Sequence, residues 1–356
     1  MLSSAADRAS QTEDAMSTRR KFVTDTSRSV AGLGLAAALP TSMLEAAARV
    51  AGQAEGTGLF YDPRCLAHVV PPSSSGAPRP EIKERVIRIM EVLGERGLAD
   101  EMSAIEAHAD PMPHIEAHHT PEHVAAIREI PVTGPLAELA VAGALGSVDA
   151  VARGDVRNAF CCIRPPGHHA NNTGAEEGFC YYSNAAIIAR YVQSLGYEKV
   201  LIIDWDYHHG NATQNAFYDD PTVLFYSTHN WMDYPETGDP SLVGEGDGRG
   251  TNINVHLECA SRDIDMLRAW DEQLDPAVAS FDPDFVIVSA GFDSRQDDLL
   301  GCFDVTDRAF RRMTRAAMDF ADSCCEGRLV SLLEGGYNVE GLALATAAHV
   351  ETLLDG

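Results

Sequence analysis

Basic side chains are scarce in this sequence. Only 27 lysines and arginines stand against 53 aspartates and glutamates, a formal net charge of -26. A body this acidic repels nucleic-acid phosphates, which argues against DNA or RNA binding. It suits a solvated acidic surface, or a cationic substrate such as a polyamine or a basic peptide. Zinc-ribbon cysteine pairs are missing as well: none of the eight cysteines forms a CxxC. Cys161–Cys162 and Cys324–Cys325 sit side by side in apolar segments and read as buried free thiols, and a disulfide framework is not expected. There is no internal repeat. No stretch offers the roughly 20 apolar residues of a membrane span. What is present, 45% hydrophobic residues in 356, is ample for one α/β domain.

The first 48 residues read as a leader and linker. Ser17-Thr-Arg-Arg-Lys-Phe-Val23 matches a twin-arginine export signal. A modest apolar stretch from Val30 to Pro40 follows, and small residues at Ala46–Ala48 offer a cleavage site. Either Met1 or Met16 serves as the start. Use of this signal places the protein in the periplasm or otherwise outside the cytoplasm; without it the protein is cytoplasmic. Residues 55–356 are expected to form the folded domain that carries the function.

Continuous apolar or β-branched runs occur at Phe160–Ile163, Val200–Ile203, Val223–Tyr226, Phe285–Ser289 and Leu329–Leu333. Strands without polar alternation are buried on both faces, which implies a parallel sheet. Between them lie helical stretches at Ile82–Leu93, Asn184–Leu195, Ala309–Phe320 and Val339–Leu353. Ile82, Val86, Ile89, Met90 and Leu93 share one face, as do Phe310, Met313, Ala317 and Phe320. Thr306 and Asp307 are suited to start their helix. This alternation predicts a three-layer α/β/α domain with a central, mostly parallel sheet. In such sheets ligands bind beyond the carboxyl ends of the strands. Five predicted strand ends lead into polar clusters: Pro165–Ala170, Asp204–Asn211, Ser227–His229, Asp293 and Glu334–Asn338. Pro71–Pro80 reads as a surface loop, and Trp231–Gly250 as a long rim loop that shapes a substrate entrance.

Asp204-Trp-Asp206-Tyr-His208-His209-Gly is the central motif. Residues two apart on extended chain project the same way, so Asp204, Asp206 and His208 share a side. Asp293 adds a carboxylate from another strand. Two carboxylates and one imidazole, with a position left open, are the donor set of a catalytic metal site.

Arg164-Pro-Pro-Gly-His168-His169-Ala, Gly178-Phe-Cys-Tyr, Asp204-Trp-Asp-Tyr-His-His-Gly-Asn, Ser289-Ala-Gly-Phe-Asp293 and Glu334-Gly-Gly-Tyr337 together resemble the signature blocks of zinc-dependent histone deacetylases. Their class II and bacterial acetylpolyamine amidohydrolase branches are the most similar. The resemblance runs from about Leu59 to the C-terminus and implies an arginase/deacetylase-like fold. It implies hydrolysis of an N-acyl amide by water activated on one zinc ion, held by Asp206, His208 and Asp293. His168 and His169 match the paired histidines that hold that water and move its proton. Tyr337 matches the tyrosine that donates to the acyl oxygen. Phe179 and Gly178 match one tunnel wall, Tyr234 the opposite wall and Leu300 the apolar rim residue. Asp204 and Ser227 resemble a structural potassium site. The implied substrate is a small acetylated amine or an acetyl-lysine peptide.

Asn211 stands where many family members carry an aspartate partner to the second histidine. A neutral partner raises an imidazole's pKa less than a carboxylate does. His169 is therefore expected to be neutral and the better base, with His168, backed by Asp204, more readily charged. The loop Ala67–Pro80 lacks the usual family sequence after its histidine, so Arg79 is given no role. Two rival readings differ in kind. A ureohydrolase with two manganese ions needs a second aspartate near Asp293, where Gly291 stands. A non-catalytic module that binds an acetylated ligand would not need every catalytic position filled.

Overall fold

Strand-length runs with no polar alternation need an apolar layer on each side, and the computed structural model supplies both. It describes residues 54–356 apart from 73–75, 77 and 78. The leader expected at 1–48 lies outside the described residues. Eight parallel strands form one sheet: β1 (Thr57–Phe60), β2 (Ser103–Ala104), β3 (Asn158–Cys161), β4 (Val200–Asp204), β5 (Val223–His229), β6 (Asn252–His256), β7 (Phe285–Ala290) and β8 (Leu329–Leu333). Their order is β2-β1-β3-β8-β7-β4-β5-β6. The mostly parallel sheet expected from sequence is wholly parallel among the described strands.

Alternate residues of one strand feed two different cores. Leu201 and Ile203 join one apolar cluster, with Val286 and Val288 from β7 and with the helices Glu84–Glu95, Asp307–Cys324 and Val339–Leu354. Val200 and Ile202 join the other, with Phe285 and Ile287 and with the helices Thr133–Ala152 and Asn184–Ser194. Each fully buried Leu, Ile or Phe contributes about 1.5–3 kcal/mol of transfer free energy, so the two layers hold the sheet in place. Helix Thr133–Ala152 is long and apolar enough to cross a membrane by length and composition. Here it packs inside the fold, with 72% of its most apolar window buried. Ile82 departs from its expected place on the buried face: it precedes the helix and is 39% exposed.

The cysteine expectation needs two corrections: Cys324 is only half-buried, and two other cysteines are bonded to each other. Cys65, Cys161, Cys162, Cys180 and Cys325 are buried thiols, but Cys259 and Cys302 are joined in a disulfide across 43 residues. The loop after β6 and the loop after Asp293 meet at the same rim, and sequence spacing alone does not reveal that meeting.

His349 lies in the core between two hydroxyls, Nδ1 at 2.7 Å from Thr314 Oγ1 and Nε2 at 2.9 Å from Ser331 Oγ. Burial pushes its pKa down to about 3. The unfolded chain therefore takes up a proton below about pH 6.5 that the folded chain refuses. This part of the stability is complete above pH 6.5 and is lost as pH falls toward 3. At pH 5 the loss from this one ring is about 2 kcal/mol. Urea denaturation of wild type and His349→Gln at pH 7.5 and pH 5 checks it: the variant should show a smaller drop in unfolding free energy. Equal drops would show that His349 does not carry this part.

Candidate active site

Four adjacent central strands, β3, β8, β7 and β4, send their carboxyl ends to one place. The segments that leave them carry Gly167–His169, Glu334–Tyr337, Gly291–Asp293 and Asp204–His208. Asp206, His208 and Asp293 converge so that one donor atom from each lies within 4.8 Å of the others, and all three are buried. His208 Nδ1 lies 3.2 Å from Asp206 Oδ1 and 3.0 Å from Asp293 Oδ2. Burial opposes the charge on Asp293, and the adjoining Asp206 opposes it further, raising the carboxyl to about 7. Two neighbouring buried carboxylates facing one ring nitrogen call for a cation, and this nitrogen-and-oxygen set fits a single zinc ion. Position 291 offers no second metal ligand beside Asp293. A Cβ on Gly291 would fall 1.9 Å from Asp206 Oδ2, so no side chain is accommodated there.

The paired histidines lie beside this cluster, ring centroids 3.9 Å apart. His168 Nδ1 meets Asp204 Oδ2 at 3.0 Å and His169 Nδ1 donates to Asn211 Oδ1 at 2.8 Å. Burial works against a charge on His168, but Asp206 and Asp204 outweigh it and raise the ring to about 10. Burial, with His168 and His208 adding to it, pushes His169 well below the usual histidine range. The two rings therefore differ in the sense that their partners suggest. Glu334 Oε2 accepts from the backbone of Gly167 at 2.7 Å and of His168 at 3.3 Å, which fixes the loop that carries both rings.

Tyr337 is presented by a glycine turn in which Gly336 adopts φ 117°, a conformation that L side chains rarely take. Several residues hold that turn, and sequence reasoning assigned none of them this work. Arg85 donates to Gly336 O and to Glu334 O, both at 2.6 Å, and its guanidinium lies 5.1 Å from the Tyr337 ring centroid. Glu81 pairs with Arg85 at 2.9 Å and with Arg164 at 2.7 Å, all three side chains essentially inaccessible. Removing one member would strand a buried charge. Asp298 accepts from the backbone of Tyr337 at 2.7 Å and Asn338 at 3.0 Å, and from Leu300 at 2.9 Å.

A pocket of about 200 Å³ leads to the cluster, lined by Arg79, His169, Gly178, Phe179, His208, Asp233, Tyr234, Leu300 and Tyr337. The tunnel residues expected from sequence, Gly178, Phe179, Tyr234 and Leu300, all line it. Arg79, left without a role, lies with its guanidinium carbon 4.3 Å from the Phe179 centroid and bonds both oxygens of Glu176, at 2.7 and 2.9 Å. Glu176 also accepts from Phe179 N at 2.6 Å, which ties down a residue held at φ 71°. Ser227 does not face the pocket; it pairs in register with Asp204, and its Oγ lies 2.8 Å from His229 Nδ1.

A model of the histone deacetylase domain matches residues 130–353, more than half the chain. The chain belongs to the histone deacetylase family. A probable deacetylase of Archaeoglobus fulgidus is 37% identical over 302 residues, covering 80% of this chain and 82% of that protein. Histone deacetylase 5 of Arabidopsis thaliana is 35% identical, and the match covers 86% of this chain but 50% of the plant protein. The crystal structure of the HDA15 HD domain superposes with a TM-score of 0.78 at 33% identity, covering 84% of this chain and 91% of that one. The wholly parallel sheet described above is thus the α/β fold of a histone deacetylase domain.

Proposed function

We propose that this histone deacetylase family member is a zinc-dependent hydrolase of N-acyl amides, acting on an acylated linear amine such as an acetyl-lysine peptide or an acetylpolyamine. The observation that carries the reading is the convergence of Asp206, His208, Asp293, His168, His169 and Tyr337 at the inner end of a tunnel walled by aromatic rings. A zinc ion held by the first three would polarise the acyl carbonyl and make water acidic enough to attack near neutral pH. His169 is neutral, and because its Nδ1 proton goes to Asn211 its Nε2 lone pair is free to take a proton from water. His168, paired with Asp204, is the more readily charged of the two rings and would lend positive charge to the developing oxyanion. Tyr337 remains protonated, held up by burial and by Asp293 and Asp206, and donates to the same oxygen. Phe179 and Tyr234 flank a slender chain, which suits a linear amine. The proposal includes a structural potassium ion at Asp204 and Ser227, both fully buried.

Hydrolysis of a fluorogenic acetyl-lysine substrate and of a monoacetylated diamine, with metal analysis and a chelator arm, tests the reading. Expected are one zinc per chain, loss of turnover with chelator and recovery with zinc. No turnover of any acylated amine by the zinc-loaded protein, or two manganese ions per chain, would overturn it.

We further propose export by the twin-arginine route. The Cys259–Cys302 disulfide supports this, since such bonds persist in oxidising compartments. Fractionation of the producing cell checks it; protein confined to the cytoplasm with both thiols free sinks it.

A further inference from the structure

The tunnel mouth carries two charged side chains that are not equivalent. Arg79 is locked to Glu176 through both carboxylate oxygens, so its charge is balanced on the spot. Asp233 lines the same mouth, and among the described residues no Lys, Arg or His lies within ion-pair distance of it. Its orientation is nevertheless fixed. Oδ1 accepts from Tyr234 N at 2.7 Å, and Oδ2 accepts from the Tyr207 hydroxyl at 2.9 Å.

Tyr207 makes that second bond from an unusual position. It lies between the candidate ligands Asp206 and His208 in the chain and is fully buried. Its ring packs edge-on against His208 and Phe303, centroids 4.9 and 4.7 Å away. Asn230 Nδ2 donates to its oxygen at 3.1 Å, which leaves the phenolic proton for Asp233. A polar hydroxyl is thus carried through the core to meet a carboxylate at the rim. Apolar packing alone would not require it, and each Asp233 oxygen keeps acceptor capacity on the open side.

We propose that Asp233 is a specificity-determining residue that accepts a positively charged N–H group of the substrate, outside the tunnel and beyond the acylated nitrogen. Tyr207 is the positioning residue that aims it. The inference rests on the amide-hydrolase reading above and deepens it: the preferred substrate carries a second, protonated amine. The Arg79–Glu176 pair adds no net charge, so Asp233 leaves the pocket lining negative.

The test compares kcat/KM for a monoacetylated diamine and for a neutral acetylated alkylamine of the same length. Wild type, Asp233→Asn and Tyr207→Phe are compared, each zinc-loaded. A charge-assisted hydrogen bond at a partly wet site is worth about five- to tenfold in this ratio. Wild type should prefer the cationic substrate, and Asp233→Asn should lose about that factor, through KM for the diamine. Tyr207→Phe should lose a smaller part of the same preference. Asp233→Glu should recover some of it, and raising the salt from about 0.05 to 0.5 M should erode whatever preference a protein retains while leaving Asp233→Asn unchanged. An unchanged ratio in Asp233→Asn, with both substrates turned over, would overturn this inference and leave the hydrolase reading standing. Turnover of neither substrate by wild type would overturn the hydrolase reading, and this inference with it.

Discussion

Tyr337→Phe should lower kcat by about 100–1000-fold, the usual loss when one oxyanion donor is removed. The substitution takes away one hydroxyl and little else. The ring keeps its place 5.6 Å from Phe179 and within reach of the Arg85 guanidinium. The turn is held through the Tyr337 and Asn338 backbone by Asp298, and through Gly336 O by Arg85, and none of these bonds involves the phenol. Zinc content and thermal stability should therefore match wild type while turnover collapses. Burial above all keeps the hydroxyl protonated, so its loss should scale the rate down equally from pH 6 to 9. The measurement is kcat across that range at matched zinc content. A variant within tenfold of wild type would mean that Tyr337 is not the donor.

The residues that converge at the candidate site were largely legible in the sequence, and those that hold them in place were not. The reason is the range over which each signal acts. Asp206 and His208 are two apart on extended chain, and His168 and His169 are adjacent, so local pattern exposes them. β4, β5, β7 and β8 announced themselves because a strand buried on both faces has no polar alternation to confuse it. Helix Thr133–Ala152 was missed for the related reason that it is apolar nearly all round and shows no amphipathic period. β6 carries Asn252 and Asn254, both bonded to Gln214, and so lacks the unbroken apolar run that marked the others. Arg85 reaches Gly336 across 251 residues and Arg79 reaches Glu176 across 97. No window along the chain contains such partners. Asp298 carries no local signal of its task, because its four backbone donors come from two loops that only the fold brings together.

Asp293→Asn should weaken zinc binding by more than about 100-fold and abolish measurable turnover. Loss of a residue that merely supports a ligand already costs about 10–100-fold in affinity, and Asp293 is proposed as a ligand itself. Asparagine keeps the shape and an oxygen for Tyr207 N, which Asp293 Oδ1 now accepts at 2.7 Å, so the local fold has no reason to fail. What changes is charge. In the absence of metal, Asp293 and Asp206 are buried side by side and repel each other, a cost that the neutral amide removes. The metal-free variant should therefore be at least as stable as metal-free wild type. Wild type should gain stability on titration with zinc, because an ion that binds only the folded state stabilises it by mass action, and the variant should gain little. Isothermal titration with zinc, paired with melting curves of both proteins with and without the ion, separates the two effects. A variant that binds one zinc as tightly as wild type would remove Asp293 from the ligand set. A variant that merely unfolds would show that the carboxylate serves structure. Only a folded, silent protein with no zinc-induced shift agrees with a cation gripped by two carboxylates and one imidazole.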